Sequence, residues 1–167
     1  MIRKTRTEDA DRASEIIEDA RAYFASVNNP QWQDGRPNRD TVLQDIEDGS
    51  GYVLEENGTV IGTAALIKGP DPDYAYIEGQ WLNDEPYYVI HRIAVDSRFK
   101  GRAKASEFLE YTAELAKSAG MRNIRIDTHE VNSSMRRFLA KNGFTECGKV
   151  YIRGTDPRIA YQKILNT

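Results

Sequence analysis

The sequence predicts an α/β fold, a mixed central sheet with helices on both faces, and three observations carry that reading. Apolar periodicity switches between two and 3.6 residues in the order β-α-α-β-β-β-α-β-α-β-β. Residues 87–120 join a β-branched and aromatic run to an amphipathic helix through a basic, glycine-containing turn. Asn57-Gly58, between two apolar runs, is the dipeptide that best fits a tight hairpin. At 167 residues the chain is read as a single domain spanning 1–167, long enough to bury a core.

Residues 2–5 form a short first strand. Thr7, Asp9 and Asp11 suit a helix start, and the helix is expected over residues 10–26 with Ala13, Ile16, Ile17, Ala20, Tyr23 and Phe24 on one face. Asn28-Asn29-Pro30 breaks it, and residues 31–37 are irregular. A second helix covers 39–48 and closes at Gly49. Strands at 51–56 and 60–68 flank Asn57-Gly58. A Pro- and Asp-rich loop, 69–73, leads into a tyrosine-rich run, 74–82, and residues 83–86 turn the chain back. The central strand follows, then a helix with Ala105, Phe108, Leu109, Thr112, Leu115, Ala116 and Ala119 at helical spacing, stopped by Gly120. A strand at 123–130, a helix at 132–142 stopped by Gly143, and strands at 146–153 and 158–165 complete the chain.

Residues 98–103 are the most informative turn. A strand feeding a helix leaves the first helical N–H groups unpaired, and with the helix dipole and a permissive glycine these make a site for phosphate oxygens. Arg92, Arg98, Lys100, Arg102 and Lys104 crowd around it, although the whole chain carries a net charge of −3 and a pI near 5.5. That balance argues against a general nucleic-acid binder and for a local landing site for a polyphosphate. One cysteine, Cys147, excludes an internal disulfide. With no apolar signal core at the start and no membrane-length apolar stretch, a cytoplasmic protein is expected.

The spacing Arg98-x-x-Gly101-x-Ala103 after Ile93-Ala94-Val95 resembles the acyl-CoA-binding motif of the GCN5-related N-acetyltransferases. Two further segments resemble the same family. One is Asn132-x-x-Met135-x-x-Phe138-Leu139-x-Lys141-x-Gly143-Phe144, and the other is the closing strand pair with Gly148 and Tyr161. The resemblance covers residues 50–165 well and the N-terminal part by pattern only. It implies the acyl-CoA N-acyltransferase fold, with a mixed, mostly antiparallel sheet. It also implies acetyl-CoA as donor without a metal, and a primary amine of a small molecule or peptide as acceptor. A homodimer is permitted by exposed edge strands, and no nucleic-acid or membrane partner is expected.

By that resemblance Ile93, Ala94 and Val95 offer main-chain groups to pantetheine and the thioester. Arg98, Lys100, Gly101, Arg102, Ala103, Lys104 and Ala105 cradle the pyrophosphate, and Asn132 with Ser134 contacts the pantetheine arm. Asn132 is equally suited to cap its helix. His91 is the candidate general base. It stands four residues before Val95, so strand alternation predicts a common face with Ile93 and Val95, and histidine chemistry suits removal of an amine proton. Its alternative is a structural histidine. His129 and Glu130 are weaker candidates for the acceptor site, and one cysteine with two separated histidines makes a poor zinc set. The family's frequent proton-donating tyrosine falls at Leu139, which cannot donate. Tyr151 and Cys147 are weak substitutes, or the thiolate leaves unassisted. That departure keeps a second reading open, an acyl-CoA-binding or regulatory module with weak catalysis. Aromatic Trp32, Tyr74, Tyr76 and Trp81 with Asp34, Asp73 and Glu78 are candidates for recognising a cationic amine, or for covering the core. No nucleophile with an adjacent base is evident, so direct transfer in a ternary complex is expected. The turn lacks both common nucleotide-binding glycine patterns, which disfavours a nucleotide-binding protein.

Overall fold

A computed structural model describes residues 1–99 and 103–166. Among the described residues the fold is α/β, with eight strands, mostly antiparallel, and four α-helices. The strands are β1 (Ile2–Lys4), β2 (Gly51–Glu56), β3 (Thr59–Lys68), β4 (Glu78–Gly79), β5 (Tyr88–Val95), β6 (Asn123–Thr128), β7 (Thr145–Ile152) and β8 (Asp156–Ile164). The helices are α1 (Ala10–Ser26), α2 (Arg39–Asp48), α3 (Lys104–Ser118) and α4 (Ser133–Lys141). The residues fall into two compact units, one of 1–66 with 91–111 and the other of 67–90 with 112–167.

In the first unit β1, β2 and β3 pair antiparallel, Ile2 opposite Leu54 and Val53 opposite Thr63. The hairpin turns through Asn57 (φ 51°) and Gly58 (φ 79°), the two left-handed residues that a primed turn requires. Both ends of α2 are written into the sequence. Asn38 Oδ1 accepts a hydrogen bond from Thr41 N–H, Asn38 N–H donates to the Thr41 hydroxyl oxygen in return, and Gly49 closes the helix in the left-handed conformation. Ile16 and Ala20 of α1 pack with Val53, Val60 and Ala94, and Trp32 leans on the same cluster. On the opposite face the Phe108 ring closes over Gly62, where a Cβ would lie 3.1 Å from it.

In the second unit β5 starts parallel to β6, with Tyr88 opposite Ile124 and Val89 opposite Arg125. β6 pairs antiparallel with β8, β8 with β7, and β7 with the two-residue β4. Tyr74, Tyr87, Val89, Val150 and Ala160 form the core there, with Ile77 and Trp81 against it. A buried amide knot ties residues 82–83 down. Gln162 Nε2 donates to Asn123 Oδ1 (2.9 Å) and Asn83 Oδ1 (3.2 Å), while Leu82 N–H donates to Gln162 Oε1 (3.1 Å).

Candidate active site

β5 carries one extra residue relative to β3. Gly69 N–H bonds Tyr87 C=O (2.9 Å) at one end and Asp96 N–H bonds Ile61 C=O (2.7 Å) at the other. The chain advances nine residues on β5 while it retreats eight on β3, which is the signature of a bulge. Arg92, with φ 56°, is the left-handed residue within the strand, a conformation that costs a non-glycine residue about 1–2 kcal/mol. Counted from Tyr87, His91 falls opposite Ala65; counted back from Asp96, Arg92 does. The bulge therefore corrects the predicted common face. His91 lies on the side of Arg92 and Ala94, and Ile93 with Val95 lies on the other. Beyond Val89 and Arg125 no further β5–β6 register is formed among the described residues.

The turn after β5 is braced by Asp96, a buried carboxylate. Its Oδ1 accepts from Arg98 N–H (2.9 Å) and Nε (3.1 Å), and its Oδ2 accepts from the Arg98 guanidinium (2.8 Å) and from Arg12 of α1. Those bonds from Arg98 foremost, opposed by burial and supported by Arg12, hold the Asp96 carboxyl well below the usual carboxylate range. The Arg98 side chain is thus engaged by a carboxylate. Lys104, the first residue of α3, reaches Glu56 (2.6 Å). Ala103 is left-handed (φ 59°), at the place where the motif alternates glycine with alanine. Ala105 lies in the first turn of α3, and Lys100, Gly101 and Arg102 lie outside the described residues.

In the second unit Asn132 caps α4, its Oδ1 accepting from Met135 N–H (3.2 Å) and the Ser134 hydroxyl (3.4 Å). Leu139 is completely buried. Tyr151 donates its hydroxyl proton to Glu78 Oε1 (2.7 Å), which pushes the phenol pKa up. The Cys147 thiol lies against Thr145 C=O (3.4 Å), and burial raises its pKa although Arg125 pulls the other way. Both groups are held in protonated form. His129 Nδ1 accepts from Val131 N–H (3.2 Å), and burial, then Arg158, favours its neutral ring.

Most of the aromatic candidates turn inward. Tyr74 is buried and donates to Asp127 Oδ2 (2.6 Å). Burial foremost, with the Asp127 charge, carries its pKa well above the ordinary phenol value. Trp81 donates to Tyr74 C=O (3.1 Å), and with Tyr87 it sandwiches the Arg125 guanidinium, each ring 4.1 Å away. Tyr76 is exposed, beside Tyr151. Sequence reasoning missed Asp96, Arg12 and Asp45, the last an α2 carboxylate that meets Arg92, because only the fold reveals which distant carboxylates and cations meet. Among the described residues no group of three or more His, Cys, Asp or Glu side chains is placed to hold a metal, and no helix is long and apolar enough to cross a membrane.

A model of the acetyltransferase (GNAT) family matches residues 14–144. A GNAT-family acetyltransferase structure from Streptococcus agalactiae 2603 is similar at 40% identity and TM-score 0.91, over 100% of this chain and 96% of that one. One from Listeria monocytogenes 4b F2365 is similar at 22% identity and TM-score 0.76, over 99% and 94%. The PaiA N-acetyltransferase of Thermoplasma acidophilum, solved with coenzyme A, has TM-score 0.70 and 16% identity over 98% of each chain. Comparison with curated proteins found no match. With the bulged strand, the braced turn and a family match over most of its length, this chain belongs to the acetyltransferase (GNAT) family, enzymes that take their acyl group from acetyl-CoA.

Proposed function

We propose that this enzyme moves the acetyl group of acetyl-CoA directly to a primary amine of a small molecule or peptide in a ternary complex. The carrying observation is the stretch 93–95, which carries no β6 register among the described residues and runs into the segment braced by Asp96 ahead of the start of α3, where unpaired helical N–H groups suit phosphate oxygens. Ile93, Ala94 and Val95 hold the pantetheine amides and polarise the thioester carbonyl as it becomes an oxyanion. The turn from Arg98 to Ala105, including Lys100, Gly101, Arg102, Ala103 and Lys104, binds the pyrophosphate, chiefly through main-chain N–H groups. Asn132 and Ser134 contact the pantetheine arm. Coenzyme A bound to the PaiA neighbour supports the same donor here.

His91 removes the proton that the amine must lose, directly or through water. The neutral amine nitrogen then attacks the thioester carbon, the C–S bond breaks, CoA leaves as thiolate, and the nitrogen gives up its second proton to solvent as the amide forms. Leu139 supplies no proton, and thiols titrate close enough to neutral pH for the thiolate to leave without one. A cytoplasmic enzyme is the matching setting.

Steady-state kinetics of acetyl-CoA with a panel of primary amines, following free thiol, is the test. Turnover with at least one amine is expected. In His91→Ala, kcat/KM for that amine falls by about 10²–10⁴-fold, while acetyl-CoA affinity measured by calorimetry stays within about threefold. Undiminished turnover in His91→Ala from pH 6 to 9 removes His91 from the mechanism. Tight acetyl-CoA binding with no turnover on any amine favours the weakly catalytic binding module.

A further inference from the structure

The bulge in β5 has a side-chain fastening. Arg92 is the left-handed residue of that bulge, and its Nη2 donates to both carboxylate oxygens of Asp45, on α2, at 2.6 and 2.8 Å. The guanidinium is 26% exposed and the carboxylate 15%, so the pair is shielded enough to be specific and wet enough to add little to stability. Arginine gains nothing from a left-handed backbone, a conformation that glycine adopts freely. A residue that is both strained and tethered at a functional strand calls for a reason beyond packing.

We propose that the Arg92–Asp45 ion pair is a positioning device for acetyl transfer. The α2 carboxylate holds the bulge residue in its left-handed conformation, and this aims the main-chain N–H and C=O groups of Ile93–Val95 at the pantetheine and thioester. The proposal rests on the acetyl-CoA reading above and adds to it two residues that touch neither substrate. The surroundings make it testable, because Asp45 and Arg92 line a cavity of about 10 Å³ together with Thr5, Thr41 and Thr63. That is room for about one water, and Thr5 Oγ1 is buried there without a protein partner. Shortening Arg92 widens a space that already has hydroxyls to hold water, and Asp45→Asn removes the charge without changing the side chain's size.

The decisive comparison uses glycine. If the ion pair works by stabilising the left-handed residue, Arg92→Gly removes the tether and the need for it together, whereas Arg92→Ala removes only the tether. Calorimetric titration with acetyl-CoA and with 3′-phosphoadenosine 5′-diphosphate, the nucleotide half of CoA, separates the strand from the phosphate turn. Expected results are acetyl-CoA binding weakened about tenfold in Arg92→Ala and Asp45→Asn, a misplacement-sized effect, with nucleotide-half binding unchanged. Arg92→Gly loses less than Arg92→Ala, and Asp45→Asn/Arg92→Gly matches Arg92→Gly alone. Where an amine supports turnover, kcat falls in the same order while KM for that amine holds. Equal weakening of both ligands, or Arg92→Gly as impaired as Arg92→Ala, overturns the proposal. A wild-type protein that binds neither ligand sinks the acetyl-CoA reading instead, and thermal unfolding of each variant confirms that it is folded.

Discussion

Leu139 falls where the family resemblance leads one to expect a proton-donating tyrosine, and its burial bears on what it does instead. The side chain, on α4, is completely buried. Restoring the tyrosine would add volume and a polar atom to a full site, an overpacking change of about 1–3 kcal/mol. Leu139→Tyr is therefore expected to lower Tm, by about 2–4 °C for each kcal/mol at this chain length, and to leave kcat no higher than wild type. A stable Leu139→Tyr protein with raised kcat would show that departure of the thiolate limits the rate and that the position still serves the chemistry. The same burial logic separates the aromatic candidates. Residue type alone left Tyr74 and Tyr76 equivalent, yet one hydroxyl is sealed against Asp127 and the other ring stands in solvent.

At the scale of elements, the turn after β5 depends on one carboxylate. Asp96 caps the backbone of Arg98, grips its guanidinium and reaches Arg12 of α1, so a single buried group aligns the strand end, the turn and a helix. Its pKa is depressed, so the stabilisation it provides is complete above the ordinary aspartate value of about 4 and is lost as pH falls through that value towards the folded one. Asp96→Asn is expected to cost on the order of 1–3 kcal/mol at pH 7, the range for hydrogen bonds to charged groups. Thermal unfolding between pH 7 and pH 2 should show the gap between wild type and Asp96→Asn narrowing below about pH 4. A gap that is constant over that range would mean Asp96 acts by shape and not by charge. The ends of α2 were readable because Asn38 and Gly49 encode their own caps. β4 was not readable, because Glu78–Gly79 becomes a strand only through Lys149 and Gly148, some seventy residues away. There Gly79 and Gly148 lie so close that a Cβ on either would fall within 2.3 Å of backbone. The face of His91 was misread for a related reason, since strand alternation holds only until a residue is inserted, and nothing local in His91-Arg92-Ile93 announces the bulge.

For the molecule as a whole, charge is where sequence and fold diverge most. The chain carries a net −3, and its donor is a polyanion, so long-range attraction does not favour binding. Five basic residues around the turn suggested a local remedy. Three of them are already neutralised in the fold: Arg92 by Asp45, Arg98 by Asp96 and Lys104 by Glu56. Those carboxylates come from α2, the end of β5 and β2, a convergence that only tertiary structure creates. Lys100 and Arg102 lie outside the described residues, and the proposed phosphate contacts are short-range, through main-chain N–H groups and the helix start, whose hydrogen bonds act within contact distance and are little affected by a Debye length of about 8 Å. A site built on free lysines and arginines would behave otherwise, losing affinity steeply as salt rises. The acetyl-CoA Kd, measured by calorimetry between 50 and 500 mM salt, is accordingly expected to rise by less than about tenfold, a change of under about 1.4 kcal/mol. Arg98→Ala should weaken binding through loss of the turn's bracing, without altering that salt slope. A slope much steeper than this, or one that flattens in Arg98→Ala, would mean that the guanidinium leaves Asp96 to meet the phosphates, and that the brace is a feature of the empty enzyme alone.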